Sequence, residues 1–167
     1  MKSIRVLSIL FTVLFVFAAA VPAAPGTNPA WEKMKSLVGE WDGTMIHGGM
    51  AMPVKVSYAL VSGGTSLMER MSGMGEEMVT LYYPDGTRVL MTHYCSEGNQ
   101  PRMKAAALAG DTLAFDFVDA TGLASPEAEH MHRLVVKFQD ADHFAEEWTH
   151  RKAGKEETGV FKYSRKK

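Results

Sequence analysis

The sequence has little sulfur chemistry and little imbalance of charge. Cys95 is the only cysteine among 167 residues, which excludes an intramolecular disulfide and leaves this thiol buried, metal-liganding or available for an intermolecular bond. Lysine and arginine total 18 against 19 aspartate and glutamate residues, so no overall field attracts nucleic acid. No basic stripe is interleaved with aromatic residues either. We therefore expect no nucleic-acid partner.

The chain also lacks the short motifs of common enzyme classes, with no GxSxG, P-loop, HExxH or CxxC pattern. A nucleophile built from Cys95 and His93 is unfavourable, because neighbours at i, i+2 on a strand lie about 7 Å apart. An enzymatic role for the histidines stays open as the third reading of the sequence. The residues favour a binding protein over an enzyme.

The longest apolar run lies at the N-terminus. Lys2 and Arg5 precede an apolar stretch over residues 6–20, and small residues follow it. This is the pattern of a secretory signal peptide over residues 1–23, cleaved after Ala20 or Ala23. The run is short for a membrane helix of about 20 residues, so no membrane span is expected after cleavage. The protein is predicted to be secreted or periplasmic, with a linker at residues 24–29 and one domain at residues 30–167.

Hydrophobic periodicity changes once along this domain. Trp31, Met34 and Leu37 stand at helical spacing and predict a short helix that ends before Gly39. Beyond it, apolar and polar residues alternate, and turn signals separate short segments. The pattern predicts ten strands: Gly39–His47, Pro53–Val61, Thr65–Met71, Glu77–Tyr83, Arg88–Tyr94, Arg102–Leu108, Thr112–Val118, His130–Phe138, His143–His150 and Glu157–Tyr163. An open meander would expose two edges, so we predict an all-β fold, an antiparallel up-and-down barrel of about ten strands with a short N-terminal helix.

A barrel of this strand number encloses more space than its own side chains readily fill, so a small ligand is expected inside; the alternative is a filled barrel. Strand alternation predicts the residues that face this space. Glu69 is expected among them, with Arg102 as its first expected partner and His93 as its second. The predicted ligand is largely apolar with one polar end. The predicted ligand-binding residues are Tyr58, Glu69, Met91, His93, Cys95, Arg102, Phe115, Phe117, His130, His132 and Trp148.

Two short motifs suggest a metal. His93-Tyr94-Cys95 and His130-Met131-His132 are both i, i+2 pairs on faces predicted to point inward. Imidazoles at this spacing reach one tetrahedral metal, and a thiolate adds a soft ligand. A metal- or haem-binding barrel that uses His93, Cys95, His130 and His132 is therefore the alternative function. The sequence leaves the cofactor, the ligand and the oligomeric state open.

Gly39-Glu40-Trp41 opens the first strand directly after the helical turn, and Arg165 lies near the C-terminus. With the meander, these features resemble the calycin superfamily of lipocalin-like barrels, and the chain looks most like uncharacterised secreted bacterial lipocalin-like domains. The resemblance implies that Trp41 lies at the barrel bottom with Arg165 packed across it. The start Gly39-Glu40-Trp41-Asp42-Gly43 is also similar to nitrobindin-type haem-binding barrels. Here Thr44-Met45-Ile46-His47 replaces their further glycines and Tyr-Pro.

Overall fold

The computed structural model describes residues 28–105 and 107–167 of the chain. The predicted signal peptide and most of the predicted linker lie outside these residues. Within the two described ranges, no helix is long and apolar enough to cross a membrane.

The predicted short helix forms as α1 (Pro29–Lys35). Asn28 caps it, because its Oδ1 accepts a hydrogen bond from the Trp31 backbone N–H at 3.0 Å. The same side chain donates through Nδ2 to the Gly86 and Arg88 carbonyls at 3.1 and 2.9 Å. These bonds tie the helix start to a turn of the barrel, while Trp31 and Met34 are buried. Helix α1 therefore packs against one end of the barrel.

Ten antiparallel strands form a closed barrel, as predicted. Each strand pairs with its chain neighbours, and the first pairs with the last, so no sheet edge is left. A 3₁₀ turn at Ser62–Gly64 joins the second and third strands. The strands are β1 (Gly39–His47), β2 (Met50–Val61), β3 (Ser66–Ser72), β4 (Met78–Asp85), β5 (Arg88–Tyr94), β6 (Gln100–Ala105), β7 (Thr112–Thr121), β8 (His130–Phe138), β9 (His143–Lys152) and β10 (Lys155–Arg165).

Trp41 and Arg165 face each other where β1 pairs with β10. The guanidinium carbon of Arg165 lies 4.0 Å from the centre of the Trp41 ring. Arg165 also donates hydrogen bonds to the carbonyls of Ser36 and Val38, at 3.0 and 2.9 Å, just beyond α1. This is the pairing at the barrel bottom that the calycin resemblance implied. The stacked cation and the capped helix together close this end of the barrel.

Strand alternation places most of the predicted interior correctly, but it fails at some positions, including Leu60 and Arg102. Alternation from Tyr58 would point Leu60 inward, but Leu60 is exposed near the end of β2. Arg102 is also exposed, because Pro101, Met103 and Ala105 take the buried positions of β6. Arg102 therefore cannot be the partner of Glu69 that the sequence suggested.

A bulge in β8 changes the alternation where the histidine motif lies. The pairing with β9 shifts between Met131 and Arg133, so that Met131 pairs with His150. From Leu134 onward, the even-numbered residues of β8 are buried, as predicted. Before the bulge, Met131 takes the position facing the barrel lumen, where His130 and His132 were expected.

Candidate ligand-binding site

A cavity of about 600 Å³ lies at the end of the barrel opposite α1. It is built from the end of β1, the last residues of β9 and the start of β10. The β3–β4, β5–β6 and β7–β8 connections complete it. Its lining residues are Met45, His47, Met74, Glu97, Glu129, Met131, Trp148, His150, Lys152, Ala153, Lys155, Glu157, Gly159 and Phe161.

Large apolar side chains form the inner wall of the cavity. Three methionines, Met45, Met74 and Met131, meet Trp148 and Phe161 there. Methionine has an unbranched, polarizable side chain that adapts to irregular shapes, which suits a wall that contacts an exchangeable molecule. Trp148 is the one of the eleven predicted ligand-binding residues that lines this cavity.

Charged side chains form the rim. His150 Nε2 lies 3.2 Å from Glu97 Oε1 and 3.1 Å from Glu129 Oε1. Lys152 Nζ lies 2.5 Å from Glu129 Oε2, and its hydrogen bond and charge lower the pKa of the Glu129 carboxyl. His47 and Glu157 form a further pair at 3.5 Å. The cavity is thus apolar inside and ionic at its opening.

Two carboxylic acids are buried in the core beside the cavity. Glu146 accepts hydrogen bonds from the Tyr58 hydroxyl at 2.6 Å and the Trp148 indole N–H at 3.1 Å. Glu69 accepts one from the Tyr82 hydroxyl at 2.6 Å. The inward position of Glu69 is as predicted, and Tyr82 takes the place expected for Arg102. Of the lysines and arginines in the described ranges, none is buried near these acids to balance their charge.

Burial without a cation changes the acidity of both groups. Removal from water raises the pKa of Glu146 to about 7. Burial, and then the charge of Glu146, raise the pKa of Glu69 well above its ordinary value. The same environment raises the pKa of the Tyr58 and Tyr82 hydroxyls, which therefore stay protonated as donors. Both acids therefore stay protonated over a range of pH in which exposed carboxyl groups are ionised.

The other predicted residues of β5 and β7 are mostly structural parts of the core. Met91 and Phe115 are fully buried, and Phe115 packs against Tyr82. His93 is buried against Trp148, with ring centres 4.8 Å apart, and its Nδ1 lies 2.9 Å from Thr80 Oγ1. Burial lowers the pKa of His93 to about 4, so the ring is neutral. The uncharged His93 ring packs against Trp148 and so helps to hold this part of the cavity wall in place.

Cys95 and Arg102 lie away from the cavity wall. Arg102 forms a two-point ion pair with Asp119 on the outer surface, with Nη2 2.8 Å from Oδ2. Cys95 begins the turn after β5, where its backbone N–H donates to the Asn99 carbonyl at 3.2 Å. Burial is the main reason that the pKa of its thiol is raised. A thiol of raised pKa is a poor nucleophile and a poor metal ligand at neutral pH.

His130, His132 and Phe117 line a second, smaller recess with Arg151. The β7–β8 ladder ends at the pair Asp116 and Arg133, and these rings lie beyond that pair. Phe117 stacks on His132 with ring centres 4.9 Å apart. Among residues 28–105 and 107–167, the recess shares no lining residue with the larger cavity.

A directional chain of hydrogen bonds joins the two histidines of this recess. His130 Nδ1 lies 2.7 Å from the Ala128 carbonyl and must donate to it, which leaves Nε2 as an acceptor. His132 Nδ1 therefore donates to His130 Nε2 at 3.1 Å, and Arg151 donates to His132 Nε2 at 3.1 Å. Because Arg151 can only donate, the His132 ring that accepts from it must be neutral. Burial, then the charge of Arg151, lower the pKa of His132 accordingly.

The predicted metal cluster does not assemble in the described part of the chain. No three of His93, Cys95, His130 and His132 bring ligand atoms within 4.8 Å of one another. The group that does so among the described residues is Glu97, Glu129 and His150, at the cavity rim. Alternation puts His150 on the same face of β9 as Trp148, but no pattern in the sequence indicates either glutamate, since one stands in a turn and the other in the β7–β8 connection. Their convergence depends on which barrel end each turn occupies.

Comparison with known proteins supports the fold. No protein-family model and no curated protein matches the sequence. A crystal structure of a protein of unknown function from the DUF3598 family of Nostoc punctiforme matches 80% of this chain with a TM-score of 0.59 at 13% identity. A redesigned β-barrel matches 80% of this chain with a TM-score of 0.43 at 10% identity. The chain spans about half of the Nostoc protein, 49% of its length.

A likeness at this identity shows the barrel fold alone. The closed ten-strand barrel fits the calycin-like fold expected from the sequence, while membership of the calycin or nitrobindin families stays a prediction. The function must therefore be argued from the cavity and its residues.

Proposed function

We propose that the protein binds a small, largely apolar molecule with one polar end in the cavity at the open end of the barrel. The observation that carries the proposal is the cavity itself, whose volume of about 600 Å³ falls within the range of small-molecule pockets, roughly 300–1,000 Å³. Its wall of methionine and aromatic side chains matches an apolar ligand body. The barrel fold supports such a role, since barrels of this size hold small ligands.

The polar end of the ligand belongs at the rim. His150, Lys152 and Glu129 lie there with the other ionic residues, and the wall below them is apolar. A ligand that enters with its apolar end first keeps its polar end among groups that replace water. This arrangement differs from the polar end predicted from sequence, which used His93, Cys95, Arg102, His130 and His132.

A fluorescence titration tests the proposal. A polarity-sensitive anilinonaphthalene dye added to the folded protein is expected to brighten and saturate at one dye per chain. Gly159 lines the cavity, its φ is not positive, and an added Cβ would meet Phe161 at 3.5 Å and His47 at 3.9 Å, which are ordinary contacts. Gly159→Phe is therefore expected to fill the cavity and weaken dye binding at least about tenfold, a loss that corresponds to 1.4 kcal/mol.

Thr158→Phe is the matched control. It adds an aromatic ring at the neighbouring, exposed position of β10, where the Thr158 hydroxyl contacts Thr149 at 3.1 Å on the outer surface. Dye affinity in this variant should equal that of the unchanged protein. If Gly159→Phe and Thr158→Phe bind the dye equally well, the dye lies elsewhere and the proposed cavity is not the binding site.

We further propose that the mature chain acts in the periplasm or outside the cell. Support comes from the basic start and apolar run at residues 1–20 with the small residues after them. Mass spectrometry of protein recovered from the exported fraction should give a chain that begins at Val21 or Ala24. An intact N-terminus at Met1 in that fraction would contradict this.

A further inference from the structure

We propose that Glu97, Glu129 and His150 bind a divalent transition-metal ion at the rim of the cavity. The three residues come from different parts of the chain, the β5–β6 turn, the β7–β8 connection and β9. Their ligand atoms all lie within 4.8 Å of one another. All three residues also line the cavity, so that an ion held among them would keep open positions facing the bound molecule.

The separations match those of atoms that share one ion. A zinc-type ion binds imidazole nitrogen and carboxylate oxygen at about 2.0–2.2 Å, which places two tetrahedral ligand atoms about 3.3–3.6 Å apart. His150 Nε2 lies 3.2 Å from Glu97 Oε1 and 3.1 Å from Glu129 Oε1. Two carboxylate oxygens thus approach a single imidazole nitrogen at the distance expected around a metal.

Hydrogen bonds from a neutral imidazole do not account for both contacts. A neutral imidazole carries at most one hydrogen on Nε2, so it can serve only one of the two carboxylates fully. His150 Nε2 is buried, and it makes no hydrogen bond of acceptable geometry with any described residue. A buried nitrogen facing two anionic oxygens is an arrangement that a cation completes.

Neighbouring groups hold the ligands in place, as in known metal sites. Asn99 Nδ2 donates to the Glu129 backbone carbonyl at 2.8 Å and ties the β5–β6 turn to the β7–β8 connection. Lys152 contacts Oε2 of Glu129 and leaves Oε1 directed at His150. Gly122 permits this approach, since a Cβ there would meet the Gly98 carbonyl at 2.8 Å.

The ligand set also indicates which ion is bound. Imidazole suits zinc and its first-row neighbours, whereas magnesium and calcium prefer sites made entirely of oxygen. Three protein ligands leave at least one position open, which distinguishes this arrangement from a closed structural zinc site. We expect a donor atom at the polar end of the cavity ligand to fill that open position. Only this part of the inference rests on the proposed function.

Isothermal titration of the chelator-treated mature protein with zinc alone tests the site. We expect one ion per chain, a higher melting temperature with zinc, and visible absorption when cobalt replaces zinc. His150→Ala should weaken zinc binding at least about a hundredfold, and Glu97→Gln or Glu129→Gln about tenfold or more.

Two matched controls separate the site from general surface binding. His143→Ala removes an exposed histidine at the start of β9, which pairs with Asp140, and Glu157→Gln removes a rim carboxylate outside the group. Both should bind zinc like the unchanged protein. Absence of stoichiometric zinc binding, or equal affinity in His150→Ala and His143→Ala proteins whose circular dichroism shows the native fold, would overturn the proposal.

Dye titration distinguishes this failure from that of the proposed function. If the chelated protein binds the dye in its cavity but no zinc, the metal site is wrong and the ligand-binding function stands. If zinc binds at His150 but Gly159→Phe leaves dye binding unchanged, the metal site stands and the cavity function is wrong.

Discussion

The indole N–H of Trp148 donates a hydrogen bond to Oε2 of Glu146 at 3.1 Å, and this bond joins the cavity wall to the buried acids. Glu146 and Glu69 lie among tyrosines, with no buried lysine or arginine in the described ranges to offset their charge. Their protonation should therefore govern both the stability of the barrel and the rigidity of the Trp148 side of the cavity.

The stabilising contribution of Glu146 is expected to fall as the pH rises from 5 to 8, whereas that of neutral His93, whose pKa burial lowers to about 4, increases over the same range. The folded-state pKa of Glu146 is about 7, above its ordinary value of 4.5, so protonation of this acid favours the folded state. Its contribution is complete below the unfolded pKa and is lost as the pH rises through the folded pKa. Urea unfolding of the unchanged protein and of Glu146→Gln isolates this contribution, and the difference in stability between the two should decrease by on the order of 1–3 kcal/mol from pH 5 to pH 8.

Glu146→Gln should flatten this dependence, since the amide offers an acceptor to Trp148 and a donor to the Tyr58 hydroxyl without titrating. Glu147→Gln is the control, because Glu147 faces outward and pairs with Lys137 at 2.5 Å. A Glu146→Gln variant with the same pH dependence as the unchanged protein would show that Glu146 is not the titrating group.

Arg165→Ala is expected to lower the free energy of unfolding by about 2–4 kcal/mol, because it removes the cation over Trp41 and the hydrogen bonds to Ser36 and Val38. Arg165→Lys should recover only part of this loss, as an ammonium cannot make the same planar contacts. Chemical unfolding measures both. Arg133→Ala is the control, because it breaks an exposed pair with Asp116 and should lower the free energy of unfolding by less than about 1 kcal/mol. An equal loss of stability in Arg133→Ala and Arg165→Ala would argue against the role of Arg165.

His132 is expected to titrate below its ordinary pKa, because burial, and then the charge of Arg151, disfavour the protonated ring. The neutral ring belongs to the folded state, so its stabilising contribution is present above the unfolded pKa and is lost as the pH falls. NMR titration of the imidazole signals measures this directly. A midpoint above 6.5, the ordinary histidine value, would contradict the proposed hydrogen-bond direction.

Cys95 is expected to react slowly with iodoacetamide at pH 8, since burial raises the pKa of its thiol and only the thiolate attacks. Alkylation of the folded protein, followed by mass spectrometry, should be at least about tenfold slower than alkylation in urea. Equal rates in the two states would show that the thiol is exposed and unperturbed.

The sequence was a good guide to the barrel and a poor one to the site. Alternation depends only on neighbours along one strand, so the inward positions of Tyr58, Glu69 and His93 could be predicted. A bulge adds one residue to a strand without leaving a periodic signal in the sequence. Because of the bulge in β8, Met131 points in the direction that was expected for His130 and His132.

Contacts across the barrel mouth were beyond such reasoning. Glu97 and Glu129 stand in connections between strands, where no period fixes the direction of a side chain. They meet His150 only because the β5–β6 and β7–β8 connections lie at the same end of the barrel as the end of β9. Strand number and closure could be predicted, while the residues brought together at the rim required the three-dimensional register.

Native mass spectrometry of the exported protein, purified gently and without detergent, tests the central claim most directly. A noncovalent adduct of one small molecule per chain is expected in the unchanged protein and in Thr158→Phe, and it should be absent from Gly159→Phe. The same adduct retained in Gly159→Phe, or a bare chain in all three proteins, would contradict the account of the cavity as a ligand-binding site.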